Sequence, residues 1–128
     1  MHGKFNWNEL MTDDVEKAKA FYAATVGWTY QKFPMPDAEY WIAHAADGTP
    51  AAGIMSMPPD DPEAMPGWLC YVEVDNVDER CRGVAGAGGE VLQEPFDIPG
   101  VGRIAIVSDT AGAIIGWLTP AAAPNAAA

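Results

Sequence analysis

Three charged side chains in apolar, strand-like runs are the first candidates for chemistry. Glu9 lies in FNWNELMT, Glu73 in WLCYVEV, and Arg103 in GRIAIVS. A carboxylate buried among apolar side chains has a raised pKa and can act as a general base or as a polar anchor for a ligand. Arg103 can clamp an anionic ligand with two hydrogen bonds, or it can neutralise one of the two carboxylates. The alternative for each carboxylate is a purely structural pair with an arginine or a backbone amide.

The other residue types that often do chemistry are scarce. The chain has two histidines, of which His2 lies close to its start and His44 in a strand-like run. We expect His44 to have a structural or surface role, because the internal repeat places an isoleucine at the equivalent position. Cys70 and Cys81 form no CxxC motif, and we expect two reduced thiols.

Composition excludes two classes of partner. Seven basic and 18 acidic residues give a net charge of −11, which would repel a phosphate backbone, so we expect no nucleic-acid partner. No apolar stretch approaches the roughly 18 residues of a membrane span, so we expect no membrane partner. The first residues lack the unbroken apolar run of an export signal, and we expect a cytoplasmic protein. The 128 residues fit one domain.

The sequence repeats itself. Sliding it by 62 positions aligns residues at helix starts, helix ends and turns, as in Asp13/Asp75, Gly27/Gly89, Asp47/Asp109 and Pro58/Pro120. This spacing predicts a first module over residues 5–58 and a second over 67–120. The Pro- and acid-rich stretch 59–66 is typical of a linker. The Ala-rich end, 121–128, is typical of a disordered tail.

Each copy begins with a strand, continues with a helix and ends with three short strands, so that the module is βαβββ. Asp13 with Glu16 predicts the start of the first helix, and Asp75 with Asp78 that of the second. The predicted apolar stripes are Val15, Ala18, Phe21, Tyr22 and Val26 in the first helix, and Val77, Cys81, Val84 and Ala85 in the second. A ferredoxin-like βαββαβ arrangement is the alternative, although it leaves one strand of each half unused.

Two stretches carry a resemblance to a known family: ELMTDDVEKAKAFYAATVGW and FDIPGVGRIAIVSDTAGAIIGWLTP. With the duplicated module they resemble the vicinal oxygen chelate superfamily of glyoxalases, bleomycin-resistance proteins and extradiol dioxygenases. The resemblance implies an α+β fold of two tandem βαβββ modules whose mixed sheets curl around a shared cup-shaped pocket. The family's enzymes hold a divalent metal there, with one side chain from each of four strands.

The positions that match the family's metal ligands carry unsuitable residues. They are Trp7 and Leu69 on the first strand of each module, Gly116 on the last strand of the second, and Gly53 or Ile54 on the last strand of the first. A divalent cation needs imidazole nitrogen or carboxylate oxygen, which none of these side chains offers. We therefore predict no cofactor. A rearranged metal site built from Glu9, Glu73 and His44 stays open, without a spacing that supports it.

The same resemblance implies which side chains line the pocket. If the ligand positions face it, strand alternation adds Glu9 and Met11 to the face of Trp7, and Tyr71 and Glu73 to the face of Leu69. The predicted ligand-binding residues are Trp7, Glu9, Met11, Leu69, Tyr71, Glu73, Arg103 and Gly116, with Trp41 and Trp117 as further apolar walls or as plain core. The glycines at 53, 112 and 116 either relieve crowding or enlarge the cavity.

Three functions are compatible with these residues. The first is a metal-independent protein that binds a small organic molecule in the cup. The second is an enzyme, a lactoylglutathione-lyase-like lyase or isomerase or a dioxygenase, which uses a rearranged metal or acid–base chemistry at Glu9 or Glu73. The third is a non-catalytic interaction module. We expect a homodimer, because the open edges of such sheets commonly pair.

Overall fold

A computed structural model describes residues 1–35, 39–57 and 65–121. Most of the predicted linker, 59–66, and of the predicted tail, 121–128, lies outside the described residues. The chain divides into two compact units. We call Trp7–Leu69 the N-terminal unit, and Met1–Asn6 together with Cys70–Ala128 the C-terminal unit. The borders fall inside the first strand of each predicted module.

The N-terminal unit is a four-stranded mixed sheet with one helix. Its elements are β1 (Lys4–Thr12), α1 (Val15–Val26), β2 (Thr29–Phe33), β3 (Tyr40–His44) and β4 (Pro50–Ser56), of which β1 begins three residues before the unit. The strands lie in the order β2-β3-β4-β1. The β1 and β4 strands are parallel, whereas the β2–β3 and β3–β4 pairs are antiparallel.

The C-terminal unit repeats this pattern. Its elements are β5 (Gly67–Glu73), α2 (Val77–Arg82), β6 (Glu90–Ile98), β7 (Gly102–Ser108) and β8 (Ile114–Pro120), of which β5 begins three residues before Cys70. The strand order is β5-β8-β7-β6, with β5 and β8 parallel and the other pairs antiparallel. Both units are therefore βαβββ, which confirms the predicted α+β fold class and rules out the ferredoxin-like alternative.

Both helices begin one residue later than the sequence predicts. The Asp14 side chain accepts a hydrogen bond from the Lys17 amide at 3.0 Å, and the Asn76 side chain accepts one from the Glu79 amide at 3.1 Å. These residues, rather than Asp13 and Asp75, are the helix caps. Each satisfies an amide of the first turn that has no partner within the helix.

The helix stripes are narrower than predicted. In α1, Val15 packs with Ala18 and Tyr22 against Leu10 and Ile54 of the sheet. Two predicted members of this stripe point outward, since Phe21 is 59% exposed and Val26 57% exposed. Phe21 lies six residues after Val15, which at 100° per residue is about 120° away from the buried line.

The second helix is also shorter than predicted. It ends at Arg82, so that only Val77 and Cys81 of the predicted stripe lie on it. Both pack against Val74 and Ala105. Val84 is buried in the turn that follows the helix, whereas Ala85 is exposed.

The turn aspartates of the repeat are confirmed. In the β3–β4 connection Asp47 accepts a hydrogen bond from the Thr49 amide at 3.0 Å, and in the β7–β8 connection Asp109 accepts one from the Ala113 amide at 3.0 Å. Gly112 follows Asp109 with a φ of 88°, a left-handed conformation that favours glycine. The sequence also places Gly112 at this turn, and the structure confirms that role rather than one in strand packing or in the cavity.

Strand pairing settles which residues of the two copies are equivalent. Glu9 pairs with Gly53 between β1 and β4, and Tyr71 pairs with Gly116 between β5 and β8. Gly53 is therefore the counterpart of Gly116, and the gapless repeat, which matches Gly116 with Ile54, is one residue out of register here. The third strands, β3 and β7, are still further out of the gapless register. Gly53 lies opposite Ile42 and Gly116 lies opposite Ile106, so that Ile106 is the counterpart of Ile42.

Among the described residues, no helix is long and apolar enough to cross a lipid bilayer.

Candidate functional site

A chain of hydrogen bonds runs across one face of the N-terminal sheet. The Trp7 indole Nε1–H donates to the Tyr40 hydroxyl at 3.1 Å, and that hydroxyl donates to Glu9 Oε2 at 2.7 Å. Leu10, the next residue along β1, packs in the cluster formed with α1. Because side chains alternate along a strand, Glu9 faces away from the helix. The face that Trp7 and Glu9 are predicted to share thus carries a network that runs from the Trp7 indole through the Tyr40 hydroxyl to the Glu9 carboxylate.

Burial makes this carboxylate chemically important. Glu9 is 6% exposed and Tyr40 is also 6% exposed. Desolvation raises the pKa of the Tyr40 hydroxyl far above its ordinary value, and the negative charge of Glu9 raises it further. Tyr40 therefore keeps its proton and stays a hydrogen-bond donor to Glu9. A buried carboxylate held by a short hydrogen bond is a fixed acceptor for a ligand or for a proton.

We expect the Tyr40→Phe variant to be less stable by about 1–3 kcal/mol, because a buried carboxylate loses its 2.7 Å hydrogen bond from the tyrosine hydroxyl. The free energy of unfolding in urea checks this. The matched control is Tyr22→Phe, which removes a hydroxyl that accepts an exposed hydrogen bond from Trp68 at 3.2 Å. That control should change stability by no more than about 0.5 kcal/mol. Equal effects of the two substitutions would contradict a special role for the bond between Tyr40 and Glu9.

Gly53 lies under the ring of Tyr40. A Cβ built on Gly53 would collide with the Tyr40 hydroxyl oxygen and with ring atoms, including Cε1 at 2.9 Å. The ring of Phe33 packs edge-on against Tyr40, with 5.9 Å between centroids. The space left by the missing side chain is therefore filled by tyrosine.

The C-terminal unit shows the same arrangement. A Cβ on Gly116 would collide with the ring of Tyr71, a residue that is 3% exposed. The sequence leaves open whether these glycines enlarge a cavity or relieve crowding. The structure decides for the second, because a tyrosine ring occupies the position beside each glycine.

Glu73 does not have the environment of a general base. Its carboxylate is paired with the amino group of Met1 and accepts a hydrogen bond from Asn6 Nδ2 at 3.4 Å. The hydrogen bond from the amino group is the largest cause that lowers the pKa of Glu73. Its side chain is 26% exposed. The prediction that burial raises the pKa of Glu73 is therefore wrong.

Arg103 lies on the other face of its sheet from Tyr71 and Gly116. Its Nε and Nη2 donate to both carboxylate oxygens of Asp78 at 2.7 and 3.0 Å, and Nη1 is 3.3 Å from Asp97. Ala105, two residues on, packs against α2, which fixes the side that Arg103 faces. The prediction that Arg103 lines the pocket or neutralises Glu9 or Glu73 is wrong, because Asp78 of α2 and Asp97 of β6 are its carboxylate partners.

This ion pair predicts how stability depends on pH. The hydrogen bonds from Arg103 are the largest cause that lowers the pKa of Asp78 in the folded state. The unfolded value is about 3.9, so the pair stabilises the fold above about pH 4 and stops doing so as the pH falls through the lower folded pKa. The wild type should be more stable than Asp78→Asn at neutral pH and should lose that advantage in acid. Denaturant midpoints across pH measure it, and an advantage that grows in acid would contradict the prediction.

The two tryptophans expected as pocket walls belong to the helix sides of their sheets. Trp41 packs in the cluster of α1, with Lys19 Nζ 3.2 Å above its ring. Trp117 packs in the cluster of α2. It also lines a groove of about 210 Å³ on that side, together with Val84, Ala87, Gly89, Val107, Ser108, Asp109, Thr110 and Ile115. Of the two predicted roles, pocket wall or plain core, both tryptophans have the core role, and Trp117 also lines this groove.

The remaining predicted residues are less decisive. Met11 and Leu69 are half-buried strand residues. His44 lies half-buried at the end of β3 opposite Thr29, and its counterpart in the repeat is Ser108 rather than Ile106. The position of His44 leaves the expectation that it has a structural or surface role unchanged.

The metal of the family does not fit these residues. The indole nitrogen of Trp7 carries a proton that it donates to Tyr40, and Gly53 and Gly116 lie beside tyrosine rings. None of them offers a lone pair to a cation. Within residues 1–35, 39–57 and 65–121, no group of three His, Cys, Asp or Glu side chains can hold a metal ion.

Sequence reasoning missed Tyr40. The Asp47–Gly48 turn is a partial signal, since it sets the register of the β3–β4 hairpin as far as His44 and Pro50. Strand alternation puts Tyr40 on the face of Ile42, but Ile42 lies opposite Gly53 only because the pairing shifts by one residue between Ala43 and His44, a shift that counting from the turn does not give. From that face the Tyr40 hydroxyl can reach across β4 to a side chain on β1.

Comparison with known proteins identifies the family. Residues 4–116 match the model of the Glyoxalase/Bleomycin resistance protein/Dioxygenase superfamily. The chain belongs to this superfamily. A superfamily member of known structure, methylmalonyl-CoA epimerase from Mycobacterium tuberculosis, superposes with a TM-score of 0.65 over 98% of this chain and 92% of its own, at 20% identity. That identity supports the glyoxalase/bleomycin resistance fold and nothing finer.

Sequence relatives are more similar but longer. "Putative glyoxylase CFP32" of Mycobacterium tuberculosis is 40% identical over 123 residues, which cover 93% of this chain and 45% of that protein. "Anthracycline biosynthesis protein DnrV" of Streptomyces peucetius is 32% identical over 119 residues, covering 84% of this chain and 43% of that protein. The chain thus spans less than half the length of these superfamily relatives.

Proposed function

We propose that this superfamily member binds a small organic molecule on the helix-free face of its N-terminal sheet, without a metal ion. The observation that carries the proposal is the buried Glu9 carboxylate, held by Tyr40 and followed in the hydrogen-bond network by Trp7. Small-molecule sites commonly combine aromatic walls with a few fixed polar groups. In this account Glu9 is the polar anchor and Trp7 is an apolar wall.

The charges favour a ligand that donates hydrogen bonds. A carboxylate is an acceptor with several lone pairs, so that it can accept from Tyr40 and from a ligand together. Arg103, the side chain that would have clamped an anion, is engaged by Asp78 and Asp97. We therefore propose an aromatic ligand with hydroxyl or amine groups. One relative, DnrV, is named as an anthracycline biosynthesis protein.

The metal-free part of the proposal rests on what the ligand positions contain. Indole N–H and two glycines replace the nitrogen and oxygen donors that a divalent ion requires. Within each unit a tyrosine ring fills the space beside the glycine.

An enzyme that uses Glu9 for acid–base chemistry is the second candidate. The buried carboxylate beside a hydroxyl favours it, since general bases are commonly carboxylates in dry surroundings. Glu73 is not part of this candidate, because its pKa is lowered. Conversion of a bound compound, followed by chromatography, separates this enzyme from a binding protein.

A thermal-shift screen in the presence of a chelator tests the proposal. Aromatic alcohols and amines should raise the melting temperature, by an amount that grows with ligand concentration. Aromatic carboxylates of the same size are the matched control set and should have little effect. A screen in which no hydroxyl- or amine-bearing compound stabilises the protein, or in which only carboxylates do, would overturn it. The expected absence of nucleic-acid and membrane partners and the cytoplasmic location stay predictions.

A further inference from the structure

One cross-strand row of the N-terminal sheet connects Glu9 to a glutamine on the outer strand. Its members, each opposite the next, are Glu9, Gly53, Ile42 and Gln31. The row crosses the sheet in the order β1, β4, β3 and β2, of which β2 is the outer strand. We call these residues the Glu9–Gln31 row. It lies entirely within the N-terminal unit.

The row is on the face of the sheet that carries the proposed ligand site. Tyr30, which precedes Gln31, packs in the cluster of α1, so that strand alternation turns Gln31 to the helix-free face. Phe33, two residues after Gln31, packs against Tyr40 on that same face. Glu9 and Gln31 are therefore polar side chains of one face, at opposite ends of the row.

Between its ends the row is apolar. Gly53 has no side chain, and the ring of Tyr40 fills the space beside it. Ile42 is half-buried and contributes an aliphatic side chain. The flat apolar body of a ligand can lie on this floor of ring and methyl groups, with a polar side chain at either end of it.

The polar ends of the row differ in chemistry and in exposure. Glu9 is buried and, as a carboxylate, only accepts hydrogen bonds. Gln31 is exposed, and its amide both donates and accepts. An exposed amide is hydrated in the free protein and can exchange that water for a group of the ligand. Gln31 can therefore bind a hydroxyl or a carbonyl, whereas Glu9 requires a hydroxyl or an amine.

The spacing of the strands sets the length of the ligand. Three spacings of about 4.8 Å place the Cα atoms of Glu9 and Gln31 about 14 Å apart. With a hydrogen bond of about 2.8 Å at each end of the row, the polar atoms of the ligand are about 8–9 Å apart. A single aromatic ring is too short to carry groups at this separation, whereas a fused ring system is long enough.

We propose that Gln31 is a specificity-determining residue of the ligand site, and that the ligand is a fused aromatic compound with a polar group at each end. A hydroxyl or an amine at one end binds Glu9, and a hydroxyl or a carbonyl at the other end binds Gln31. The inference rests on the proposed function, because it needs a ligand that is anchored at Glu9. It adds the length of the ligand and the nature of its second polar group.

The C-terminal unit contains a similar row without the carboxylate. Its members, each opposite the next, are Tyr71, Gly116, Ile106 and Gln93. The gapless repeat of the sequence also aligns Gln31 with Gln93. Because a tyrosine stands where the N-terminal unit has Glu9, the second row lacks the anchor. Gln93 is exposed like Gln31 and is therefore a matched control within the same protein.

Calorimetry with two naphthalene alcohols tests the inference. β-Naphthol carries one hydroxyl, and the matched diol carries a second hydroxyl at the opposite end of the ring system. The wild type should bind the diol about tenfold more tightly, about twofold because either end can bind Glu9 and about fivefold from one added neutral hydrogen bond. In Gln31→Ala this preference should fall to about twofold, with binding of β-naphthol unchanged. Gln93→Ala should keep the preference of the wild type.

Melting curves of the unliganded variants verify that both substitutions leave the fold intact, as the exposure of the two glutamines leads us to expect. A tenfold preference that persists in Gln31→Ala, or one that Gln93→Ala removes, would overturn the inference. So would a wild type that binds both compounds equally or binds neither. The proposed function is judged separately: it stands if Glu9→Gln weakens the binding of β-naphthol, and it fails if the wider thermal-shift screen also finds no ligand.

Discussion

The Gly53→Ala variant should be less stable than the wild type by about 2–5 kcal/mol, because overpacking and a disturbed buried hydrogen bond both contribute. The added Cβ would collide with the hydroxyl oxygen and ring of Tyr40. Tyr40 would have to move, and its 2.7 Å bond to Glu9 would be lost or lengthened. Urea denaturation, with the free energy extrapolated to water, measures this effect.

Gly67→Ala is the matched control, since a Cβ there meets no atom within 4 Å and φ is not in the left-handed region. It should change stability by less than about 1 kcal/mol. A second check is Gly53→Ala in a Tyr40→Ala background, where the added methyl group should cost much less than in the wild type. Equal costs in both backgrounds would show that Tyr40 does not occupy the space beside Gly53.

The Glu9→Gln variant should bind a ligand found by the thermal-shift screen about 30-fold or more weakly, a loss typical of a buried charged hydrogen bond. Glutamine keeps the shape of the side chain and an oxygen that can accept from Tyr40, but it removes the charge. Isothermal titration calorimetry gives the two dissociation constants. The fold should survive, which a melting curve of the unliganded variant would verify.

Glu73→Gln is the matched control for this substitution. Its carboxylate belongs to the C-terminal unit and is paired with Met1 and Asn6. If Glu9 is the anchor, Glu73→Gln should change the dissociation constant by less than about threefold. Comparable losses in both variants would indicate a general effect of charge rather than a specific contact.

The sequence was sufficient for the architecture because its signals are local. Asp47 and Asp109 mark the hairpin turns, Gly27 marks the end of α1, and the strands between them alternate. Turn chemistry and hydrophobic periodicity report on residues a few positions apart, and this is enough to count four strands and one helix in each copy. The family resemblance rests on the same local segments.

The site was harder to predict because it depends on register between distant residues. Strand β1 joins β4 across 44 positions of sequence, and the gapless repeat put the counterpart of Gly116 one residue away from Gly53. A shift of one residue turns every side chain to the other face of a sheet. That is why Glu9 could be placed on the correct face from its neighbours on β1, whereas Tyr40 was missed.

Arg103 shows a second limit of sequence reasoning. Because basic residues are scarce, the sequence suggested that Arg103 pairs with Glu9 or Glu73. The pairing depends instead on which carboxylates lie close to Arg103 in space. Asp78 is in the first turn of α2 and Asp97 is on β6, directly opposite Arg103 across the β6–β7 ladder. The closeness of Arg103 to these two aspartates cannot be recognised from the sequence until the register of the strands is known.

The most direct test of the central claim is a binding measurement on protein freed of metal. The protein is dialysed against a chelator, and elemental analysis verifies that the metal is gone. Calorimetry should then give the same dissociation constant for the aromatic alcohol or amine ligand as with the untreated protein. Adding back zinc, nickel, manganese or iron should not tighten binding. A stoichiometric divalent ion in the purified protein, whose removal abolishes ligand binding and whose return restores it, would contradict the claim.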